Sequence, residues 1–260
     1  MFTSKARIGV LIMLLCLCIV GLHAQSLTIY TENNPPLQFA GTDGKPTGLS
    51  VEVVEELQKR VGNSDSIAIV PWARGYKEIQ SQPNIVLFST GRTAERNPLF
   101  QWVGPIFENQ YAFFSKNDSQ LKITSLDDAK KVGHIGVVLN DVRDQYLKSK
   151  GFTNLDEGDD YATQFKKLML GRIDCAVSSV SNVDSLVKQA GGSMANIKAQ
   201  YVFLKAQLWI TFSKSTNPAV VSKWQAAFDE MEKDGTYEKI FKKYFPAGTA
   251  SMPGPAITTF

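Results

Sequence analysis

Short apolar runs alternate with amphipathic stretches along almost the whole chain, and this alternation restricts the fold more than any other feature. The runs are 27–30, 67–70, 85–88, 135–138, 175–177 and 208–212, each of strand length. Between them lie Val51, Val54, Leu57 and Val61; then Ala162, Phe165, Leu168 and Met169; then Val221, Trp224, Phe228 and Met231. Steps of three and four put each set on one helical face. Tyr237, Ile240, Phe241 and Tyr244 repeat the pattern near the end. Strands alternating with such helices predict an α/β sheet with helices packed on its faces. No repeat, charged tract or low-complexity linker divides the sequence, so two lobes would require the chain to pass between them more than once.

The N-terminus reads as a secretory signal peptide over 1–24. Lys5 and Arg7 precede residues 8–22, which carry no charge, and Leu22-His23-Ala24 puts a small residue before Gln25. An apolar run of that length falls short of the roughly 20 residues that span a bilayer as a helix. Cleavage removes Cys16 and Cys18 and leaves Cys175 alone, so export implies no intramolecular disulfide. It also leaves His134 as the sole histidine, which excludes a His cluster for zinc and gives a Ser-His-Asp triad one possible base. No metal or other cofactor is expected. The chain has 28 basic and 25 acidic residues, and losing Lys5 and Arg7 brings it closer to neutrality. Such balance offers no field to a polyanion, so nucleic acid is not an expected partner.

The densest polar cluster, Ser89-Thr90-Gly91-Arg92-Thr93-Ala94-Glu95-Arg96, follows the strand-like run 85–88. Hydroxyls, a Gly and guanidinium forks at a strand end suit a carboxylate; the other reading is a turn whose Arg92 or Arg96 pairs with Glu95 at the surface. Asn140-Asp141 stands before a helical pattern, where capping and an anion-facing turn are both open. Trp72 and Arg74 lie where strand gives way to helix, with either a sheet-edge or, for Trp72, a core role. Glu32 follows the first strand, ahead of Pro35-Pro36, as a ligand-facing acid or a solvated loop acid.

Five stretches in order carry a resemblance: LTIYTENNPPLQF at 27–39, GKPTGLSVEVVEEL at 44–57, TAERNPLFQWVGPI at 93–106, LMLGRIDCAV at 168–177 and DGTYEKIFKKYF at 234–245. Together they resemble the family 3 extracellular solute-binding proteins, the periplasmic receptors of amino-acid-type ABC importers. The resemblance implies a periplasmic-binding-protein type II fold, two α/β lobes joined by two hinge strands. Carried over, lobe 1 is 25–108 plus 208–245, lobe 2 is 109–207, and 246–260 is a loose tail.

Residue by residue, the resemblance puts Arg96 where the family clamps a ligand carboxylate, with Ser89, Thr90 and Gly91 at the adjacent strand end. It puts Glu32 at an acidic position, Trp72 or Arg74 where an aromatic ring covers the ligand, and Asn140-Asp141 at a turn where Gly and then Thr or Ser are commoner. An Asp usually follows the Asp of the GRID motif by five residues and holds an α-ammonium; here that position is Ser179. Ser cannot neutralise a cation, so the solute is an amine served by Glu32 or Asp141, an acid without the amine, or some other polar solute. The implied function is a monomeric, non-enzymatic periplasmic receptor that delivers a small polar solute to an inner-membrane ABC permease. The alternatives are a sensor partner of a membrane signalling protein and a dehydratase-like enzyme on the same scaffold.

Overall fold

The computed structural model describes residues 26–246, so the expected signal peptide and all of the expected tail but Pro246 lie outside the described residues. The first half of the chain runs β1 (Thr28–Thr31), β2 (Phe39–Ala40), β3 (Pro46–Thr47), α1 (Leu49–Val61), β4 (Ile67–Ile69), α2 (Trp72–Ser81), β5 (Ile85–Gly91) and β6 (Phe100–Lys116). It continues through α3 (Leu126–Ala129), β7 (Ile135–Val138), α4 (Val142–Ser149), β8 (Leu155–Gly158), α5 (Tyr161–Met169) and β9 (Cys175–Ser179). α6 (Val183–Gln189), β10 (Ile197–Ser213), α7 (Pro218–Lys233) and α8 (Thr236–Tyr244) complete it. All six apolar runs form or lie largely within strands. The helical sets occupy α1, α5, α7 and α8, with Val54, Leu57, Phe165, Leu168, Trp224 and Phe228 buried.

Eight strands pair in the order β4-β1-β5-β10-β6-β9-β7-β8. β4, β1 and β5 are mutually parallel and meet β10 antiparallel; β8, β7 and β9 are mutually parallel and meet β6 antiparallel. The two halves therefore repeat one plan without any repeat in sequence, and the long antiparallel pair β6–β10 joins them. This is the two-lobed type II arrangement. The expected boundary residues 108 and 207 lie directly opposite one another, in the pair Glu108↔Gln207.

The lobe of β1, β4 and β5 buries its outer helices in a cluster that includes Val54, Leu57, Phe107, Trp224, Phe228 and Phe241. The other lobe packs Phe113, Val137, Phe152 and Phe203. A third cluster runs between the lobes, joining Trp72, Tyr76 and Leu87 to Val138, Tyr161 and Phe165. Each large side chain so buried contributes about 1.5–3 kcal/mol against exposure, so the third cluster draws the lobes together. Cys175 is buried and unpaired, and burial pushes its thiol up, away from reactivity. His134 sits at the surface beside Asp174, away from the seam.

Candidate ligand site between the lobes

The residues that follow the C-terminal ends of β1, β5 and β7 meet where the lobes face each other, the usual ligand position in open α/β sheets. The loop after β5 carries Arg96, which is 1% exposed. Its turn is tied by Thr93, whose Oγ1 accepts from the Arg96 N–H at 3.2 Å. Arg96 Nη1 donates to the Gly91 carbonyl at 3.1 Å within its own lobe. Nη2 donates to the Asn140 carbonyl and Nε to Gln145 Oε1, each at 3.0 Å, in the other. Tyr76 and Trp72 cover the guanidinium, with ring centres 4.7 and 5.5 Å away. All three acceptors are neutral, so its charge is free to receive a carboxylate.

Beside Arg96 lies a second charged group. Tyr161 Oη donates to Glu32 Oε1 at 3.0 Å and lies 3.3 Å from Asp141 Oδ2. Arg143 Nε pairs with Asp141, and its guanidinium lies against the rings of Tyr161 at 4.2 Å and Tyr111 at 4.8 Å. Burial lifts Glu32 to about 8, reinforced by Asp141, so its carboxyl is neutral at pH 7. Burial also pushes Asp141 upward, but the Arg143 charge and hydrogen bonds outweigh it and hold Asp141 below its ordinary value. Burial pushes both tyrosines up, Tyr111 to about 12. The seam thus sets two guanidinium charges, Arg96 and Arg143, against one carboxylate.

Six of the residues expected at the site come together here. Trp72 opens α2 and donates Nε1 to the Asn140 carbonyl at 2.9 Å. Asn140 has φ 60°, a left-handed conformation that Asn takes more readily than most residues after Gly, which explains why Asn can stand where Gly is commoner. Asp141 caps α4 by accepting from the Arg143 N–H at 2.9 Å and faces the cluster with the same carboxylate. At Gly91 an added Cβ would lie 3.0 Å from Val142 Cγ2 of the opposite lobe, so its lack of a side chain sets how closely the lobes approach. Glu32 and Arg96 complete the group.

Four expectations need correction or relocation. Arg74 is turned outward, 59% exposed and ion-paired with Glu78 at 2.9 Å, because two residues along α2 from Trp72 is more than half a turn. Ser89, at φ 61°, points into its own lobe, with Oγ 2.8 Å from Gln38 Oε1 and 2.9 Å from Ser50 Oγ. Thr90 points into the sheet, donating to the Leu87 carbonyl at 3.1 Å. Ser179 pairs with Tyr111 across β9–β6, and its hydroxyl, 2.9 Å from Ser181 Oγ, belongs to a neutral chain reaching Asn109.

Sequence reasoning passed over Arg143, Tyr161, Tyr111, Tyr76 and Gln145. One signal was available: Arg143 lies in the first turn of α4, where the helix dipole disfavours a cation, so another partner must hold it there. Next to this cluster, α2 and the turn before α4 enclose a groove of about 720 Å³ lined by Tyr76, Lys77, Gln80, Leu139, Asn140 and Gln145, among others. Among the described residues no group of three His, Cys, Asp or Glu could hold a metal ion, and no helix is long and apolar enough to cross a membrane.

The family model of bacterial extracellular solute-binding proteins, family 3, matches residues 27–247. The L-cystine-binding protein TcyJ of Escherichia coli K12 is 26% identical over 215 residues, covering 82% of this chain and 79% of that protein. An ancestral arginine-binding protein solved with arginine is 27% identical, with a TM-score of 0.74 over 84% of this chain and 97% of the other. A histidine kinase sensor domain similar to periplasmic binding proteins shares the fold at 17% identity, with a TM-score of 0.79 over 88% of this chain and 98% of the other.

Proposed function

We propose that this chain, which belongs to the bacterial extracellular solute-binding proteins of family 3, is a periplasmic receptor that captures a small carboxylate-bearing solute between its lobes and delivers it to an inner-membrane ABC permease. The observation that carries this reading is Arg96: a buried guanidinium on the seam, stacked under Trp72 and Tyr76, with neutral acceptors only. A solute carboxylate offers that fork a charged acceptor, and charge-assisted bonds are about twice as strong as neutral ones. Contacts from both lobes then favour the closed form, which a membrane partner can read.

Binding rather than turnover is the reading for the two seam carboxyls. Glu32 is engaged by Tyr161 and Asp141 is held by Arg143, so the contacts of both carboxyls are accounted for within the seam itself. The lobe boundaries of 25–108 plus 208–245 and 109–207, and the monomeric state, belong to the same proposal.

Native mass spectrometry of the exported protein tests it. A bound small carboxylate that is lost on denaturation is the expected result. In a parallel thermal-shift screen of amino acids, amines and organic acids, a solute at 100 times its Kd adds about 2.7 kcal/mol of stability. No bound solute and no shift with any compound would contradict the receptor reading. Co-purification with a histidine kinase instead of a permease would move the protein to sensing.

A further inference from the structure

The geometry points to Arg143 as a second acid-binding group of the cleft, and so to a solute with two acidic groups, one held by Arg96 and the other by Arg143. This inference rests on the receptor reading and narrows its solute class.

Arg143 is 2% exposed, yet its Nη1 has no hydrogen-bond partner among the described residues. Buried N–H groups in folded proteins are nearly always paired, so an unpaired one on a charged side chain marks a place for an acceptor. The group is also held rigidly. Tyr161 and Tyr111 both pack their rings against it, Asp141 accepts from its Nε, and Asp141 is itself fixed by capping α4 and by the Tyr161 hydroxyl. A fork held this way loses little freedom on meeting a ligand. Stability alone is a poor reason for it, because a buried ion pair is often no better than an apolar pair of equal volume.

Charge points the same way. With Glu32 neutral and the buried Asp144 under the Asn140 turn paired with Lys148, Asp141 is the carboxylate left to oppose Arg96 and Arg143, so the seam side chains carry a net positive charge. An acidic amino acid, with one net negative charge, neutralises it; a dicarboxylate lacking the amine uses the same two forks. Ser179, in its neutral chain with Ser181 and Asn109, makes no demand for an ammonium.

Calorimetry on the mature chain with four probes tests the inference: L-glutamate and glutarate carry two acids, L-glutamine and glutaramate carry one, and each pair differs by an amine. At least one two-acid probe is expected to bind about tenfold or more tightly than its one-acid counterpart, the scale of one charge-assisted contact. Arg143→Gln should erase that margin and Arg143→Lys should keep part of it. Because Arg143→Gln leaves Asp141 buried alone, the double variant Asp141→Asn/Arg143→Gln, checked by thermal melting, separates loss of binding from loss of fold. A margin that survives Arg143→Gln overturns the inference, as does a wild-type protein that prefers the one-acid probes or binds none of the four. Binding lost in Arg96→Ala but untouched by Arg143→Gln overturns it while leaving the receptor reading intact.

Discussion

Arg96 Nη2 meets the Asn140 carbonyl at 3.0 Å across the seam, so the side chain best suited to hold a solute carboxylate also ties one lobe to the other. Trp72 Nε1 reaches the same carbonyl at 2.9 Å. Capture and closure therefore share one oxygen of the turn before α4. A solute that binds at Arg96 must offer a better acceptor than this carbonyl, and a carboxylate does so.

The Trp72 bond can be removed while the ring is kept. Trp72→Phe should weaken solute binding by about two- to tenfold, the value of one neutral hydrogen bond of about 0.5–1.5 kcal/mol. Calorimetry with the captured solute checks it; unchanged affinity would mean that the Nε1 bond plays no part in closure.

Gly91 sets the approach of the lobes. In Gly91→Ala the new Cβ lies 3.0 Å from Val142 Cγ2, tighter than ordinary contact, so the closed form loses ground and the open form does not. Small-angle scattering at saturating solute should give a larger radius of gyration than wild type, with a normal thermal melt. An identical radius would contradict the role assigned to Gly91.

Glu32 makes stability depend on pH. Its folded value of about 8 lies above the ordinary glutamate value of 4.5, so folding takes up a proton wherever the unfolded chain has released it. Wild-type stability from this group is full below about 4.5 and falls as pH rises towards 8. Glu32→Gln cannot ionise, so it should be more stable than wild type at pH 8, on the order of a few kcal/mol, and no more stable at pH 4. Urea melts at both values check this, and an advantage that grows as pH falls would reverse the sign.

The Asp141–Arg143 pair should behave as a buried ion pair. Asp141→Ala strands the Arg143 charge and removes a helix cap, costing about 3–5 kcal/mol. Adding Arg143→Met should recover much of that loss, since no charge is then left unpaired. Urea denaturation of both variants measures it; a double variant as unstable as Asp141→Ala would show that the pair is not the reason.

The parts of the fold that periodicity could reveal were legible. Val54, Leu57, Trp224 and Phe228 recur at helical steps, and 85–88 and 135–138 are apolar runs without interruption. The hinge strands were harder to read, because β6 contains Gly104-Pro105 and the polar run Glu108-Asn109-Gln110, both of which argue against a central strand. Its partner β10 is broken in the same way by Lys205 and Gln207. In the candidate site, strand-end position and family resemblance pointed to Arg96, Trp72 and Asn140, which the fold brings together at the seam. Arg143, Tyr111 and Tyr161 were not, because they come together from α4, β6 and α5 through contacts between distant segments. Arg74 misled because sequence nearness to Trp72 says nothing about which side of α2 a residue occupies.

The central claim is tested most directly by titrating the captured solute into wild-type protein and into Arg96→Ala in the calorimeter. The account predicts a clear binding isotherm for wild type, none for Arg96→Ala, and the same fold by circular dichroism for both. An Arg96→Ala protein that binds the solute with wild-type affinity would contradict it.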